Sequence, residues 1–499
     1  MAPVRRLVCI ATALALAGCA TAPPAPKVQV PDAWSEPAPA EAAPLTPDWW
    51  QAFRSQELAG LIAAALLESP DLEIASERVR QAEALLQIAG ASLFPTLDLD
   101  AATGESGSRP RGGPTRKSKS TDVALTASYE LDLWGRNVSI KRAAGESLQA
   151  TRFDYETVRL TLVASVATAY FQALSLRARL AIARDTVAIA ERILAVVNSR
   201  ARHGAASQLD VARQETALLQ ARAIIPPLEL AERQTLNALA VLVGRVPEGF
   251  DVASRSVVEL PVPGAEPGLP AEVLVRRPDL AAAEAQLAAA NADLAAARAA
   301  LLPRIQLTGS GGYASDALLS LGSSSSFVYA IAATLLQPIF DGGRLRGQVA
   351  LAGARERELV ETYRRAILAA LADVENALVA ASRTAVQEAL QTQAREGAER
   401  TLRLAEIRYR EGVDDLLSVL DAQRTLFQTQ DQLAQIRLAR LQASIALYRA
   451  LGGGWTPPAP RRDAVSPPGA GPVPAREAAP SQEAGAEPPP PDQPPALPT

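Results

Sequence analysis

Pro70-Asp71-Leu72 returns as Pro278-Asp279-Leu280, 208 positions further along the chain. The same displacement carries Pro95 onto Pro303, Gly135-Arg136 onto Gly343-Arg344, Val166 onto Val374, Gly204 onto Gly412 and Gly244 onto Gly452. One unit has been duplicated without insertion, and its two copies fill the chain from about residue 57 to about residue 452. A repeat of this length is no solenoid module. Each copy must hold its own internal order, with the first repeat read as 48–254 and the second as 255–454.

Each copy begins with a helix after the Pro-Asp pair, rich in Ala, Leu, Glu and Gln, with Asp71 and Asp279 placed as caps. Pro95 and Pro303 stop these helices, and the pattern then shifts to a period of two. Val123, Leu125, Ala127, Tyr129 and Leu131 alternate with Ala124, Thr126, Ser128 and Glu130; Leu97, Leu99 and Ala101 alternate with Asp98 and Asp100. The second copy answers with Ile305 and Leu307, then Phe327, Tyr329, Ile331, Ala333 and Leu335. Hairpins are expected at about 95–133 and 303–338, with 104–120 and 309–326 as polar, Gly-rich loops. Strands apolar on one face and polar on the other suit a barrel wall between lipid and water, although a soluble half-buried hairpin has the same local pattern.

Beyond Gly135-Arg136 and Gly343-Arg344 no proline interrupts residues 115–225 or 339–456. The stretch 137–202 predicts a helix of roughly 100 Å at 1.5 Å per residue, too long for a compact globule. Within it Leu160, Val163, Ala167, Tyr170 and Leu174 form one apolar stripe, and Leu162, Val166, Ala169, Ala173, Leu176 and Leu180 form a second beside it. Two stripes require helical neighbours on two sides, as in a closed ring of helices or the interior of a large bundle. The helices turn at 202–207 and 410–415 and return to Gly244 and Gly452, giving helical hairpins at about 137–243 and 344–451. Gly204 and Gly412 suit left-handed C-caps, and Ser207 and Asp415 suit the caps of the returning helices. Pro226-Pro227 kinks the first return helix only.

The ends and composition narrow the setting. Arg5 and Arg6 precede a short apolar run at 7–17, and Leu16-Ala17-Gly18-Cys19 closes it, so 1–18 read as a secretory signal. The ending is similar to a bacterial lipoprotein box, in which Cys19 is acylated and followed by a lipid tether over 19–47. Loss of Cys9 with the signal leaves no pair for a disulfide. A formal charge of −4, becoming −6 without Arg5 and Arg6, argues against nucleic acid as a partner. Residues 455–499, dominated by Pro, Ala, Gly and Glu, read as a disordered tail. No P-loop, nucleophile elbow, metal motif or mature reactive cysteine is present, and His203 is the single histidine, so no enzyme and no cofactor beyond the lipid are expected.

Four strands cannot close a barrel, and open edges in lipid leave backbone groups unpaired, so several copies must join; geometry alone permits two, three or four. The stretches Asp48-Trp49-Trp50-Gln51-Ala52-Phe53, Arg276-Arg277-Pro278-Asp279-Leu280, Pro338-Ile339-Phe340-Asp341-Gly342-Gly343-Arg344-Leu345, Tyr409-Arg410-Glu411-Gly412-Val413-Asp414 and Leu420-Asp421-Ala422-Gln423-Arg424 carry a resemblance. The chain resembles the TolC-like outer membrane factors, in the lipoprotein branch serving resistance–nodulation–division efflux. The resemblance implies a mainly α fold with a small β part: a homotrimeric twelve-stranded outer-membrane barrel continuous with a periplasmic barrel of twelve helical segments. It also implies a periplasmic adaptor docking at the helical tips, around Arg202, His203, Gly204, Ser207, Arg410 and Gly412, with an inner-membrane pump beneath.

By the same resemblance the channel narrows at Leu417, Asp421 and Arg424, whose spacing of four and three puts them on one helix face. Threefold repetition makes Leu417 an apolar ring and Asp421 an acidic one, with Arg424 tying neighbouring helices. Asp414 and Asp415 add negative potential at the mouth, unless they are simply a solvated helix end. The implied function is a passive outer-membrane exit duct, lipid-anchored and extending into the periplasm. The alternatives are the channel of a type I protein exporter and a structural periplasmic coiled-coil lipoprotein. The latter leaves the four duplicated strands unexplained.

Overall fold

The computed structural model describes residues 28–37, 42–254, 257, 260–315 and 327–456. The signal, Cys19 and nearly all of the tail lie outside the described residues. A two-residue strand β1 (Ala42–Ala43), a 3-10 turn (Trp49–Phe53) and helices α1 (Gln56–Glu68) and α2 (Pro70–Ala91) come first. The hairpin β2 (Thr96–Ser108) and β3 (Arg116–Leu131) leads into α3 (Arg136–Arg202), which returns through α4 (Gln208–Ala223) and α5 (Ile225–Leu242). After β4 (Gly264–Ala265) and α6 (Pro270–Arg276) the order repeats: α7 (Pro278–Ala299), β5 (Arg304–Ser315), β6 (Phe327–Leu336), α8 (Arg344–Arg410) and α9 (Leu416–Ala450). Both long helices contain 67 residues, about 100 Å at 1.5 Å per residue. Among the described residues no helix is long and apolar enough to cross a membrane.

The caps expected at Asp71 and Asp279 lie two positions earlier. Ser69 and Arg277 occupy the N-cap positions, and Pro70 and Pro278 open the helices, where a missing N–H costs nothing. Asp71 and Asp279 fall in the first turn, where a carboxylate still complements the helix dipole. Asp279 also accepts from Arg277 at 2.7 Å, and Arg277 reaches Asp373 at 3.1 Å.

Strands β2, β3, β5 and β6 form one antiparallel sheet in that order. The register itself obeys the duplication: Thr96 faces Ser128, and their counterparts Arg304 and Leu336 face each other. Pairing runs further than the sequence pattern indicates. Residues 104–108 and 116–120 continue the first hairpin rather than looping, leaving only 109–115 as the connection, and 309–315 lie within β5. Gly and Ser have weak strand preference alone. Once Leu97 and Ala101 pair with Ala127 and Val123, however, each following amide meets a ready partner. Residues 316–326 lie outside the described residues.

Side chains at odd-numbered positions share one face of this sheet: Leu97, Leu99 and Ala101, Val123 to Leu131, Ile305 and Leu307, and Phe327 to Leu335. The even-numbered face carries Asp98, Asp100, Thr126, Ser128, Glu130 and Gln306. On the apolar face Leu97, Leu99, Tyr329 and Ile331 are exposed in the protomer.

Glu130 and Arg136 join sheet to helix through two 2.9 Å contacts from Arg136 Nη2. Asp132 accepts from the Val138 amide at 2.8 Å, and Asp341 from those of Gly343 and Leu345 at 3.0 Å, so a carboxylate closes the start of each long helix. The backbone hydrogen bond from Leu345 leads the causes that hold the Asp341 carboxyl below the usual range. Both stripes of α3 are covered, with Val166, Ala167, Tyr170, Ala173 and Leu174 fully buried. They share their core clusters with side chains of α1, α5 and α9.

The main core lies where the N-terminal segment and the 245–277 linker bind the helices. Trp49 stacks on Tyr448 with ring centroids 5.1 Å apart, and Phe53 packs against Phe171 at 5.0 Å. Residues 28–37 and 42–47, assigned to the tether, are in part bound here: Trp34 donates to the Gly268 carbonyl at 2.8 Å and β1 pairs with β4. Arg177 grips Glu232 and the carbonyls of Val252 and Ser254, while Glu57 accepts from the amides of Ala253 and Ser254. Burial pushes the Glu57 carboxyl up, but these hydrogen bonds outweigh it and hold it low. Trp455 packs edge-on against Phe153, so the folded body extends just past the expected tail boundary.

The return helix of the first repeat breaks at Ile224, ahead of Pro226-Pro227, whereas α9 runs unbroken. Both returns end on a left-handed glycine pressed against the chain. A Cβ on Gly244 would lie 2.1 Å from the Glu68 carbonyl oxygen, and one on Gly452 would lie 2.1 Å from that of Arg276. Glu68 and Arg276 are themselves 208 apart, so this contact is duplicated too. Gly204 has the same backbone with open space around it. Gly204→Ala should therefore cost only the left-handed strain, about 1–2 kcal/mol. Gly452→Ala adds a backbone collision, and its melting temperature should fall clearly further than that of Gly204→Ala.

Candidate functional site at the helical turns

The two hairpin turns are built by one rule. After α3 the Gly204 amide donates to the Ala201 carbonyl at 3.0 Å and the Ala205 amide to that of Arg200 at 2.8 Å. After α8 the Gly412 amide donates to Tyr409 at 3.1 Å and the Val413 amide to Arg408 at 2.9 Å. Each pair closes a Schellman motif that satisfies the last carbonyls of the helix. Ser207 and Asp210 then form a capping box on α4, and Asp415 accepts from the Ser418 amide at 3.1 Å to cap α9. Backbone and hydroxyl hydrogen bonds from Ser207 hold the Asp210 carboxyl below its usual range.

Arg200 brings the two turns together. Its guanidinium hydrogen-bonds the Tyr409 carbonyl and lies 4.7 Å from the centre of the Tyr409 ring. Burial raises the Tyr409 phenol, and Arg200 offsets part of that rise. Arg202, His203, Gly204, Ser207, Arg410 and Gly412 all lie exposed around this clasp. His203 bonds only to the Ser199 carbonyl of its own helix, at 2.7 Å. Among the described residues no His, Cys, Asp and Glu side chains gather into a group suited to a metal ion.

The acidic mouth expected of Asp414 and Asp415 takes a different form. Arg408 forks onto Asp414, Nε to Oδ2 at 2.6 Å and Nη2 to Oδ1 at 3.1 Å, and this hydrogen bonding holds the Asp414 carboxyl low. Its charge is therefore answered locally. Asp415 serves the helix as its cap. The field at the turn is weaker than two free carboxylates would supply.

Leu417, Asp421 and Arg424 share one face of α9, as their spacing predicts, and all three are exposed, Leu417 by 57%. Arg424 pairs with Asp421 of its own helix at 2.8 Å rather than with a neighbouring helix of the protomer. They line an open groove of about 700 Å³ whose other wall is α4. That wall supplies Leu209, Arg213 and Thr216, which the sequence reading did not single out. The signal was present in the repeat: Leu209, Arg213 and Thr216 sit 208 positions before Leu417, Asp421 and Arg424. The groove thus brings equivalent faces of the two copies together, leucine for leucine, with Arg213 on the wall facing the one that bears Asp421.

Known proteins share the duplicated sequence and the fold. The outer membrane efflux protein family matches the chain twice, at residues 61–245 and 269–453, which are again 208 apart. The pyoverdine export outer membrane protein OpmQ of Pseudomonas putida is 41% identical over 469 residues, covering 92% of this chain and 99% of that protein. The solvent efflux pump outer membrane protein SrpC of Pseudomonas putida is 36% identical, covering 81% and 87%. Among solved structures, the open-state MtrE outer membrane channel of Neisseria gonorrhoeae superimposes with a TM-score of 0.77 at 31% identity, covering 87% of this chain and 99% of that one. The outer-membrane channel OprN gives 0.79 at 28%, covering 88% and 100%.

If Arg200 is the clasp, Arg200→Ala should speed amide hydrogen exchange at 200–207 and 408–416 together, while exchange in the core around Phe171 stays unchanged. Faster exchange in one turn alone would mean that the turns are held independently.

Proposed function

This chain belongs to the outer membrane efflux protein family, and from that premise we propose that three copies join edge to edge into the passive exit duct of a tripartite efflux pump. The observation that carries this reading is the four-stranded sheet, apolar on one face, with β2 and β6 unpaired at its edges. In lipid each unpaired backbone group costs several kcal/mol, so the edges must meet partners. Three sheets supply twelve strands with no edge left. The odd-numbered face meets lipid and the even-numbered face, with Asp98, Asp100 and Glu130, meets water in the lumen. Apolar side chains left exposed on the helices, among them Val386 and Leu390 of α8 and Leu219 and Leu230 on the first return, supply contact between neighbouring copies in the periplasm.

The turns at 202–207 and 410–415 face the periplasmic adaptor, with a resistance–nodulation–division pump supplying the energy. Cys19 carries the acyl chains that hold the N-terminus at the membrane. Relatives of similar likeness are named for pyoverdine export and for solvent efflux, so the cargo is set by the pump rather than by this wall. Leu417 forms the apolar constriction at the periplasmic end, and the Asp421–Arg424 pair fixes the charged face beside it.

The duplication specifies the seam between copies. Inside the protomer Thr126 faces Ser310 and Leu125 faces Gly311. Shifting each by one repeat sets Thr334 opposite Ala102 of the next copy, and Ala333 opposite Thr103. Antiparallel Cα pairs at about 4.5–5.5 Å lie within disulfide reach. Thr334→Cys with Ala102→Cys, or Ala333→Cys with Thr103→Cys, should therefore yield disulfide-linked trimers on oxidation. Failure of both pairs in a trimeric preparation would overturn this register, and a monomer without pore activity would overturn the duct itself. In planar bilayers Asp421→Ala and Arg424→Ala should each raise single-channel conductance; unchanged conductance in both would remove the gate from this face.

A further inference from the structure

The far end of the β2–β3 hairpin, strand ends and connection together, carries a cluster for which the duct has no use. Residues 105–119 hold five cations, Arg109, Arg111, Arg116, Lys117 and Lys119, against one carboxylate, Glu105. The matching stretch of the second repeat, 313–327, contains no Lys or Arg and one acid, Asp316. The two hairpins kept the same length and diverged in charge.

Register places Lys117 and Lys119 on the wall, whereas Arg116 falls on the even-numbered face and Arg109 and Arg111 in the connection. On the face that bears Leu97, Leu99 and Ala101, the next pairs toward the tip are Thr103 with Thr121, Glu105 with Lys119, and Gly107 with Lys117. The face that is apolar as far as Val123 is basic by Lys119, four residues on, or about 13 Å of strand. Glu105 lies 2.9 Å from the Lys117 ammonium and 3.8 Å from that of Lys119, yet the two lysine side chains stay 73% and 70% exposed. Above them the Gly113 amide donates to the Pro110 carbonyl at 3.0 Å and Gly112 takes φ 79°, a type II turn that fixes Arg109 and Arg111 at the tip.

We propose that the outward-facing pair Lys117 and Lys119, with Arg109 and Arg111 at the tip beyond them, docks the phosphorylated headgroups of the outer-leaflet lipid around the tube, the two lysines meeting the phosphates first. The proposal rests on the odd-numbered face being the membrane wall. Basic side chains set immediately beyond an apolar band, on its lipid side, are placed to bind anionic headgroups through charge-assisted hydrogen bonds. A filter for dissolved anions belongs on the lumen face, and on this hairpin that face bears Asp98, Asp100 and Asp122 against the one cation Arg116, all at even-numbered positions. Location therefore favours lipid over solute.

The test uses the full chain, purified in detergent and titrated with a bisphosphorylated glucosamine lipid, the same lipid without phosphates, and inorganic phosphate. Native mass spectrometry reads the bound lipid, and conductance in planar bilayers is recorded for the same preparations. The wild type should retain the phosphorylated lipid over its dephosphorylated form, with affinity falling as salt rises. Lys117→Gln with Lys119→Gln should lose about 10- to 30-fold, at roughly fivefold per cation. Lys117→Arg with Lys119→Arg should keep the binding. Equal affinity for both lipids, an unchanged affinity in the double Gln variant, or complete competition by inorganic phosphate would each overturn the headgroup site. If these results come from trimers that still conduct, the duct reading stands. Loss of assembly and conductance in the wild type would overturn both.

Discussion

Backbone amides tolerate no vacancy in hydrocarbon, and this constraint organises the rest of the molecule. A sheet of four strands is too narrow to close on itself, so the protomer finishes with two raw edges. The chain can satisfy them only by meeting itself. What the duplication adds is a ready seam: the pairing of β3 with β5 inside one copy is, in the proposed ring, the template for β6 with β2 of the next. Closure by repetition of a contact already present in the protomer requires no second kind of interface. The helices below inherit the same ring, because Glu130–Arg136 and the carboxylates Asp132 and Asp341 couple strand direction to helix direction at each junction.

The middle of the protomer answers a different need. Long helices stacked side by side slide easily, since their packing is repetitive. The N-terminal segment and the 245–277 linker prevent sliding by crossing them, and polar clasps hold that crossing: Arg177 on Glu232, Glu57 on two amides, and Glu388 between Arg437 and Arg440. The ion pairs among them are half-buried to buried, and Arg177 and Glu388 each hold more than one partner. They fix position more than they add stability. The aromatic core of Trp49, Phe53, Phe171 and Tyr448 supplies the hydrophobic term on which they sit.

Much of this was legible from the residues, and the parts that were not share a cause. Helix length followed from the absence of proline after Pro114 and Pro338, and the strand faces followed from alternation at 123–131 and 327–335. Both are properties of neighbours in sequence. The strand extension through Gly104 and Gly107 was hidden because it depends on a partner strand rather than on local preference. Asp414 reads as a free acid until Arg408, six residues earlier, folds back through the turn. Leu209 and Arg213 were overlooked although the repeat pointed to them. Their importance appears only when α4 and α9 are seen to face one groove.

The discontinuity at Ile224 gives the two repeats unequal mechanics. Its backbone stays helical, with φ −75° and ψ −27°, but Pro226 and Pro227 offer no amide to the carbonyls of Arg222 and Ala223. The first return rod is thus jointed about halfway up from its tip, while α9 beside it is a single strut. Bending stress applied at the tip concentrates at that joint. The wall that carries Leu209 and Arg213 can swing while the wall that carries Leu417 and Asp421 stays straight. In the proposed ring of three, jointed and straight return helices would alternate around the axis, so that compliance is shared out evenly about the threefold.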